Sequence, residues 1–325
     1  MAMYGKIEHA CHYAPENIVD NYDLSKIMDT SDGWIRTRTG IVKRHISTSE
    51  NTSDLATKVA RKLLLETNTS SDEIDFIIVA TMTPDFMSPS TACLVGGNIG
   101  AGKAFAFDIN GACAGFIFAL AVGEKLIRSG YKAGLVIGSE VLSKTLNWED
   151  RSTAVLFGDG AGGVLLKASD TPHIICEKLQ SDGTRGSSIV ALEEKVKNPF
   201  ANNKEENNHF LTMNGKEVFD FATRDVPKNM IEVLDLAGVG IDQIDYILLH
   251  QANLRIIDRI SRKIKADREK FLINIDEYGN TSAATIPILL SENIANKTLK
   301  IGDGSKLLLT GFGGGLNWGS IYLIL

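Results

Sequence analysis

The residue whose type and setting most suggest chemistry is Cys113. It follows an apolar segment, Phe105-Ala-Phe-Asp108, that is predicted to be a strand, and a helix is predicted to begin near Ala114. A thiol at a helix N-terminus faces backbone N–H groups and the positive end of the helix dipole, which favour thiolate over thiol. The small residues on either side leave room for a substrate carbonyl. Cys113 is therefore predicted to be a nucleophile for acyl transfer.

Two further residues could handle protons and charge for such a nucleophile. His250 ends the apolar strand that begins at Asp245, and Asn280 lies in the next strand-to-helix turn. The carboxyl ends of strands in an α/β sheet are where ligands bind, so both positions are candidates for the same site. The remaining histidines are expected to be structural: His9, His12, His45, His173 and His209. The remaining cysteines are expected to be structural and buried: Cys11, Cys93 and Cys176.

An internal repeat indicates how these residues are positioned. The segments Asp72-Glu-Ile-Asp-Phe-Ile-Ile-Val79 and Asp242-Gln-Ile-Asp-Tyr-Ile-Leu-Leu249 share one pattern, 170 residues apart, and each follows a predicted helix, Leu55–Leu65 or Val218–Leu236. Buried strands alternate with helices, which is typical of α/β proteins. We expect two duplicated halves, 1–170 and 171–325, with Cys113 and Asn280 in equivalent turns that face one pocket. The polar stretch 198–208 is expected to be a surface loop.

Composition limits the class of protein. The chain has 325 residues, 44% hydrophobic and 23% charged, which suits a globular core of about two domains. A net charge of −6 argues against nucleic acid or a membrane as a partner, because both carry negative charge. No C-x-x-C pair or zinc-ligand spacing occurs among the four cysteines, and no signal peptide is recognisable. We expect no metal and a cytoplasmic location.

Several motifs together resemble the β-ketoacyl-acyl-carrier-protein synthase III family of the thiolase superfamily. They lie along nearly the whole chain: Thr30-Ser-Asp-Gly-Trp-Ile-Arg-Thr-Arg-Thr-Gly-Ile41, Pro89-Ser-Thr-Ala-Cys93, Asn110-Gly-Ala-Cys-Ala-Gly-Phe116, Asp150-Arg-Ser-Thr-Ala-Val-Leu-Phe-Gly-Asp-Gly-Ala-Gly-Gly163, His250-Gln-Ala-Asn253, Gly279-Asn-Thr-Ser-Ala-Ala284 and Gly311-Phe-Gly-Gly-Gly-Leu-Asn-Trp-Gly319. The resemblance implies a thiolase-like fold with five layers, αβαβα.

The resemblance also implies a mechanism and a Cys-His-Asn triad, Cys113, His250 and Asn280. Cys113 would take an acyl group, acetyl by the family resemblance, from coenzyme A. Malonyl-acyl-carrier protein would then lose carbon dioxide, and the resulting enolate, stabilised by His250 and Asn280, would attack the acyl-cysteine. Backbone N–H groups of Cys113 and Gly314 would form the oxyanion hole. No cofactor is implied beyond the coenzyme A thioester, which is a substrate.

Other residues match the family's contacts with the two carriers. By resemblance, Trp34 and Arg151 stack on the adenine of coenzyme A, Arg38 contacts its phosphates, and Asn253 bonds the pantetheine arm or a water. A helix after Asn253 carries five positive charges, Arg255, Arg259, Arg262, Lys263 and Lys265. Of these, Arg255, Arg262 and Lys263 match docking positions for the acidic acyl carrier protein. Opposite charges of this kind steer protein association.

One departure from the family leaves the choice of acyl group open. Many relatives carry a bulky aromatic before the proline at position 89, and this residue closes the acyl pocket across a homodimer interface. Here the position is Ser88, preceded by Met87. Longer or branched primers therefore remain open beside acetyl.

Three alternative functions differ in how well they fit. A papain-like peptidase has the same order of Cys, His and Asn, but its cysteine context and disulfides are absent. The run Gly158-Asp-Gly-Ala-Gly-Gly163 fits a dinucleotide-binding pattern, yet a strand rather than a helix is predicted to follow it. A related condensing enzyme of polyketide-type metabolism is the serious alternative.

Overall fold

The computed structural model describes residues 3–202 and 206–325 of the chain. Its strands are β1 Tyr4–Tyr13, β2 Ile18–Asp20, β3 Lys43–His45, β4 Phe76–Ala80, β5 Phe105–Ile109, β6 Ala133–Glu140, β7 Gly160–Ser169, β8 Ile174–Ser181, β9 Ile189–Val190, β10 Thr212–Met213, β11 Tyr246–Leu249, β12 Lys306–Gly313 and β13 Asn317–Ile324. Its helices are α1 Asn21–Ser25, α2 Asp32–Thr39, α3 Thr52–Glu66, α4 Thr91–Ile99, α5 Gly115–Arg128, α6 Gly215–Arg224, α7 Val226–Ala237, α8 Leu254–Lys263, α9 Ile275–Tyr278 and α10 Thr285–Ala295.

Two sheets share one strand order, which confirms the duplication. The first runs β1-β7-β6-β4-β5 and the second, read from the matching end, runs β8-β13-β12-β11. In both sheets the strand of the repeat motif, β4 or β11, pairs in parallel with its neighbour, β6 or β12. That neighbour pairs antiparallel with the last long strand of its half, β7 or β13. The position of β5 is taken in the second sheet by a single parallel bridge from Phe271 to Ile247.

The helices and sheets form five layers. Helices α3 and α4 cover the outer face of the first sheet, and α6, α7 and α8 cover the outer face of the second. Between the sheets lie α5 from the first half and α10 from the second, packed in one apolar cluster with side chains of both sheets. Strand β4 is buried at every position, as expected of a parallel strand covered on both faces.

Most sequence predictions of secondary structure are confirmed, and one is wrong. The helix predicted over Val218–Leu236 is two helices, α6 and α7, that meet at Asp225. Pro227 explains the break, because proline has no N–H to donate and restricts the residue before it. The prediction that the remaining cysteines are buried is confirmed for Cys11 only: Cys93 is exposed and Cys176 is half-buried. Of the stretch predicted as a surface loop, residues 203–205 lie outside the described residues.

Among helices within the two described ranges, none has the length and apolar character needed to cross a bilayer.

Candidate active site

The centre of the site consists of two equivalent turns, one from each half. A 3-10 turn at Ala112–Ala114 precedes α5, and a second at Ser282–Ala284 precedes α10. Ala112 and Ser282 both have positive φ, 46° and 50°. Two residues before each, an asparagine accepts a hydrogen bond from that residue's N–H: Asn110 at 3.3 Å and Asn280 at 2.8 Å. Asn280 therefore lies in the turn equivalent to that of Cys113, as expected, but its own counterpart is Asn110.

Each turn packs against the sheet of the other half, and glycines permit the contact. A Cβ on Gly311 of β12 would lie 3.3 Å from the Cys113 carbonyl oxygen, and one on Gly138 of β6 would lie 2.4 Å from the Ala283 carbonyl oxygen. Backbones approach this closely only where no side chain intervenes. Cys113 of the first half is thus held beside Gly311 and Gly313 of the second.

The electrostatics of Cys113 differ from the sequence expectation. Burial raises the pKa of the thiol to about 12, and the charge of Glu140 acts in the same direction. A nearby hydroxyl, Ser282, lowers the thiol's pKa without reversing the shift. Desolvation penalises the charged form more than these neighbours favour it, so the resting group is a thiol.

Glu140 is a buried carboxyl beneath Cys113 that sequence reasoning missed. It accepts hydrogen bonds from the hydroxyls of Thr83 and Thr81, at 2.5 and 3.1 Å, and from the N–H of Met82 at 3.2 Å. Burial raises its pKa to about 7, against these hydrogen bonds. It fixes the loop that carries Met82 into the cavity wall. The only sequence signal was a carboxylate at the end of an otherwise uncharged strand.

His250 directly follows β11 and is almost fully buried. The backbone N–H of His250 donates to the Thr310 carbonyl at 2.8 Å. Its ring packs edge-on against Phe312, and the ring nitrogen Nδ1 lies 2.7 Å from the Thr285 hydroxyl. Burial lowers its pKa to about 3, so the imidazole is neutral at physiological pH. Because Nδ1 is bound to Thr285, Nε2 is the nitrogen left for a ligand.

Asn280 is held by its backbone as well as its side chain. It donates to the Leu156 carbonyl at 2.9 Å and accepts from the Gly158 N–H at 3.0 Å. Its Oδ1 accepts from the Ser282 N–H, and no acceptor for Nδ2 is found among the described residues, so the donor end of the amide is available to a ligand.

These residues meet at a cavity of about 250 Å³. Cys113, His250, Asn280 and Gly314 line it, as do Trp34, Arg38 and Asn253 among the residues predicted to bind coenzyme A. The Trp34 ring lies 4.5 Å from the guanidinium carbon of Arg38 and 5.3 Å from that of Arg151. Arg151 does not line the cavity and donates to Asp29 instead, at 2.6 Å to its carbonyl. Asn253 caps α8 through Oδ1.

Helix α8 brings the basic residues to the same end of the molecule. Arg255, Arg262 and Lys263 are all exposed, and the Arg255 side chain donates to the Thr37 carbonyl on α2 at 3.2 Å. Because α2 also carries Trp34 and Arg38, the basic face lies next to the residues that line the cavity.

Met87 and Ser88, predicted for the acyl pocket, are not brought to the cavity of their own chain. Both are exposed, Met87 at 94%.

The comparisons with known proteins identify the family of the chain. Residues 107–183 match the family model for 3-oxoacyl-[acyl-carrier-protein] synthase III, and residues 234–324 match the model for its C-terminal part. Over 319 residues, 98% of both chains, the sequence is 56% identical to β-ketoacyl-[acyl-carrier-protein] synthase III of Lactococcus lactis and, likewise, to that of Streptococcus mutans. The chain belongs to the β-ketoacyl-acyl-carrier-protein synthase III family.

Solved structures support the same family and its thiolase-like fold. The crystal structure of 3-oxoacyl-[acyl-carrier-protein] synthase III from Aquifex aeolicus has a TM-score of 0.91 at 42% identity, covering 99% of this chain and 100% of that one. The priming β-ketosynthase of the R1128 polyketide pathway has the same TM-score at 30% identity, covering 100% and 97%. The chain is a condensing acyltransferase that initiates fatty acid synthesis. The relatives named synthase III are 56% and 42% identical to it, against 30% for the polyketide enzyme, which favours this function over the polyketide alternative.

Proposed function

We propose that Cys113, His250 and Asn280 catalyse a decarboxylative Claisen condensation of an acyl-coenzyme A primer, acetyl in the first instance, with malonyl-acyl-carrier protein. The observation that supports this most is the convergence of a thiol, a neutral imidazole and a free amide donor on one small cavity. The products are a 3-oxoacyl-acyl-carrier protein, coenzyme A and carbon dioxide.

In the first half-reaction the Cys113 sulfur attacks the thioester carbonyl, and coenzyme A leaves as the S–C bond to it breaks. The raised pKa of Cys113 means that its proton must leave during the attack, and the departing coenzyme A thiolate is a suitable acceptor. The N–H groups of Cys113 and Gly314 stabilise the tetrahedral oxyanion. The peptide that follows this N–H is held by a hydrogen bond from Asn317 Nδ2 to the Gly314 carbonyl, at 2.8 Å.

In the second half-reaction malonyl loses carbon dioxide and leaves an enolate, whose carbon attacks the acyl-cysteine. The carbon–sulfur bond breaks, Cys113 leaves as a thiolate, and it takes one proton from solvent to restore the resting thiol. The enolate oxygen gains a hydrogen bond from Asn280 Nδ2 and a second from His250. Thr285 Oγ1 donates its one proton to the Ser282 carbonyl at 3.0 Å, so for His250 to donate through Nε2 this hydroxyl must turn and donate to Nδ1, 2.7 Å away, instead. The apolar walls of the cavity exclude water and strengthen both interactions.

The carriers approach from the α2 and α8 side. Trp34, with Arg38 and Arg151 near its ring, receives the adenine and phosphates of coenzyme A, and Asn253 receives the pantetheine arm. Arg255, Arg262 and Lys263 dock the acidic carrier protein. No ion pair to these three is found within the described residues, so their charges face solvent and a partner.

The acyl pocket is completed by a second copy of the chain. Strand β5 is one of the two edges of the first sheet, and its Phe105 is exposed. An exposed apolar edge strand favours pairing with another chain. A homodimer formed there would bury this edge, and Met87 and Ser88 would close the partner's cavity.

We further propose that the halves divide as 1–170 and 171–325, that the condensation needs no cofactor, and that the enzyme is cytoplasmic, with no nucleic-acid or membrane partner.

The test is acylation followed by intact mass measurement. Wild type incubated with acetyl-coenzyme A should gain one acetyl group, Cys113→Ala should gain none, and Cys93→Ala, which changes the exposed cysteine, should acylate normally. Equal acylation of wild type and Cys113→Ala would refute the role of Cys113. Butyryl- and isobutyryl-coenzyme A in parallel reveal the choice of primer.

A second experiment separates the half-reactions. His250→Ala should still acylate but lose release of carbon dioxide from malonyl-acyl-carrier protein. Lys263→Glu should raise the KM for the carrier and leave the KM for coenzyme A thioester unchanged. An equal change in both would contradict carrier docking at α8.

A further inference from the structure

A second group of reactive side chains lies on β1, where the sequence predicted only structural residues. His9 and Cys11 are two positions apart on this edge strand, so their side chains point to the same face. That face is covered by α3, whose last residue, Glu66, reaches both. His9 Nε2 lies 2.7 Å from Glu66 Oε2, and Cys11 Sγ lies 3.3 Å from the same oxygen.

We propose that His9, Cys11 and Glu66 bind one divalent transition-metal ion of the Zn²⁺ class, tying β1 to the end of α3. One nitrogen, one sulfur and one oxygen atom lie within 4.8 Å of one another. These are the three donor types that Zn²⁺ accepts, and a water would complete the tetrahedron. Tetrahedral bonds of ideal length separate nitrogen from oxygen by about 3.3 Å and sulfur from oxygen or nitrogen by about 3.5 Å. The two distances to Glu66 oxygen therefore need to lengthen by about half an ångström or less, and nitrogen and sulfur, which lie within 4.8 Å of each other, need to settle at about 3.5 Å.

The charge of the cluster also suits a cation. Cys11 is buried, and both burial and the neighbouring Glu66 raise the pKa of its thiol to about 12. Without a metal the thiol therefore keeps its proton, and the Glu66 carboxylate carries a negative charge. When the ion binds, the sulfur–metal bond replaces the sulfur–hydrogen bond, and one proton passes to solvent. The loaded site is then neutral, with His9 as a neutral ligand.

The ion pair between Lys62 and Glu66 distinguishes binding at this site from nonspecific adsorption of metal to the surface. Lys62 Nζ lies 3.9 Å from Glu66 Oε1, so it stabilises the anionic, metal-free cluster. Because that stabilisation disappears when the site becomes neutral, Lys62→Ala should tighten metal binding. For an exposed ion pair we expect about a two- to fivefold effect.

The experiment is a titration of the purified full chain with Co²⁺, which reports thiolate ligation through a charge-transfer band in the near ultraviolet. One equivalent should bind, with affinity rising as pH rises. Cys11→Ser should remove the band, whereas Cys176→Ser and Cys113→Ala should retain it, since these thiols lie elsewhere. Glu66→Gln, at a more exposed position, should weaken binding about tenfold or more.

The outcomes decide the proposal independently of condensing activity. A band that survives Cys11→Ser, or an affinity that neither Glu66→Gln nor Lys62→Ala changes, would mean an adventitious ion and overturn the site. Should Cys11→Ser fail to fold, the Glu66 and Lys62 variants alone give the answer, because their opposite effects on affinity do not depend on the buried thiol.

Discussion

The contact between Gly313 and Cys113 allows the clearest quantitative test of the site. A Cβ added to Gly313 would lie 2.8 Å from Cys113 Cβ and 3.1 Å from its nitrogen and sulfur. Carbon atoms pack at about 3.5 Å or more, so Gly313→Ala must push the two groups apart by about 0.7 Å. Neither side yields easily: Gly313 pairs with Asn317 in the sheet, and the Cys113 carbonyl is already close to Gly311.

We expect Gly313→Ala to lower the rate of acylation of Cys113 by about 10²-fold, because a displacement of this size misplaces the nucleophile relative to its oxyanion donors. Overpacking should also lower the free energy of unfolding by about 1–3 kcal/mol. The assay is the rate of acetyl transfer measured by quenched intact mass, with urea unfolding in parallel. Gly97→Ala is the matched control, since a Cβ there meets nothing within 4 Å. If Gly313→Ala acylated within threefold of wild type, the close contact would be refuted.

Three other predictions follow from buried ionisable groups. Folding raises the pKa of Glu140 from 4.5 to about 7, so the folded state binds this proton more tightly than the unfolded state does. The free energy of unfolding should therefore fall by up to about 3 kcal/mol as pH rises through this range. Glu140→Gln should abolish that fall when urea unfolding at pH 4.5 is compared with unfolding at pH 8. The same variant removes a charge that raises the pKa of Cys113, so iodoacetamide should alkylate Cys113 about two- to tenfold faster at pH 8; an unchanged or slower rate would contradict this electrostatic effect. Arg44 is fully buried and donates to the Asn21 side chain and to the Val155 carbonyl, at 2.9 and 2.8 Å. Arg44→Met should lower the free energy of unfolding by about 2–4 kcal/mol in urea, because these buried acceptors lose their donor. A loss below about 1 kcal/mol would show that the acceptors find other donors.

The sequence by itself predicted the parts of the protein that depend on local pattern. The apolar runs around β4, β6 and β11 could only be buried strands, and the residues after them had to lie at the carboxyl ends of the sheets. His250 therefore follows β11 as expected, and the repeat of 170 residues correctly indicated two halves with one strand order. Motif residues carried the family resemblance, which the comparisons confirm.

Only the tertiary structure determined which groups lie next to one another and how deeply. It showed that Asn110, and not Cys113, is the counterpart of Asn280, and that burial and Glu140 outweigh the helix N-terminus in setting the pKa of Cys113. It left Met87 on the surface and brought Glu66 to His9 and Cys11 across more than fifty residues of sequence. Desolvation and contacts between distant segments arise from the packing of five layers, and no local pattern in the chain encodes them.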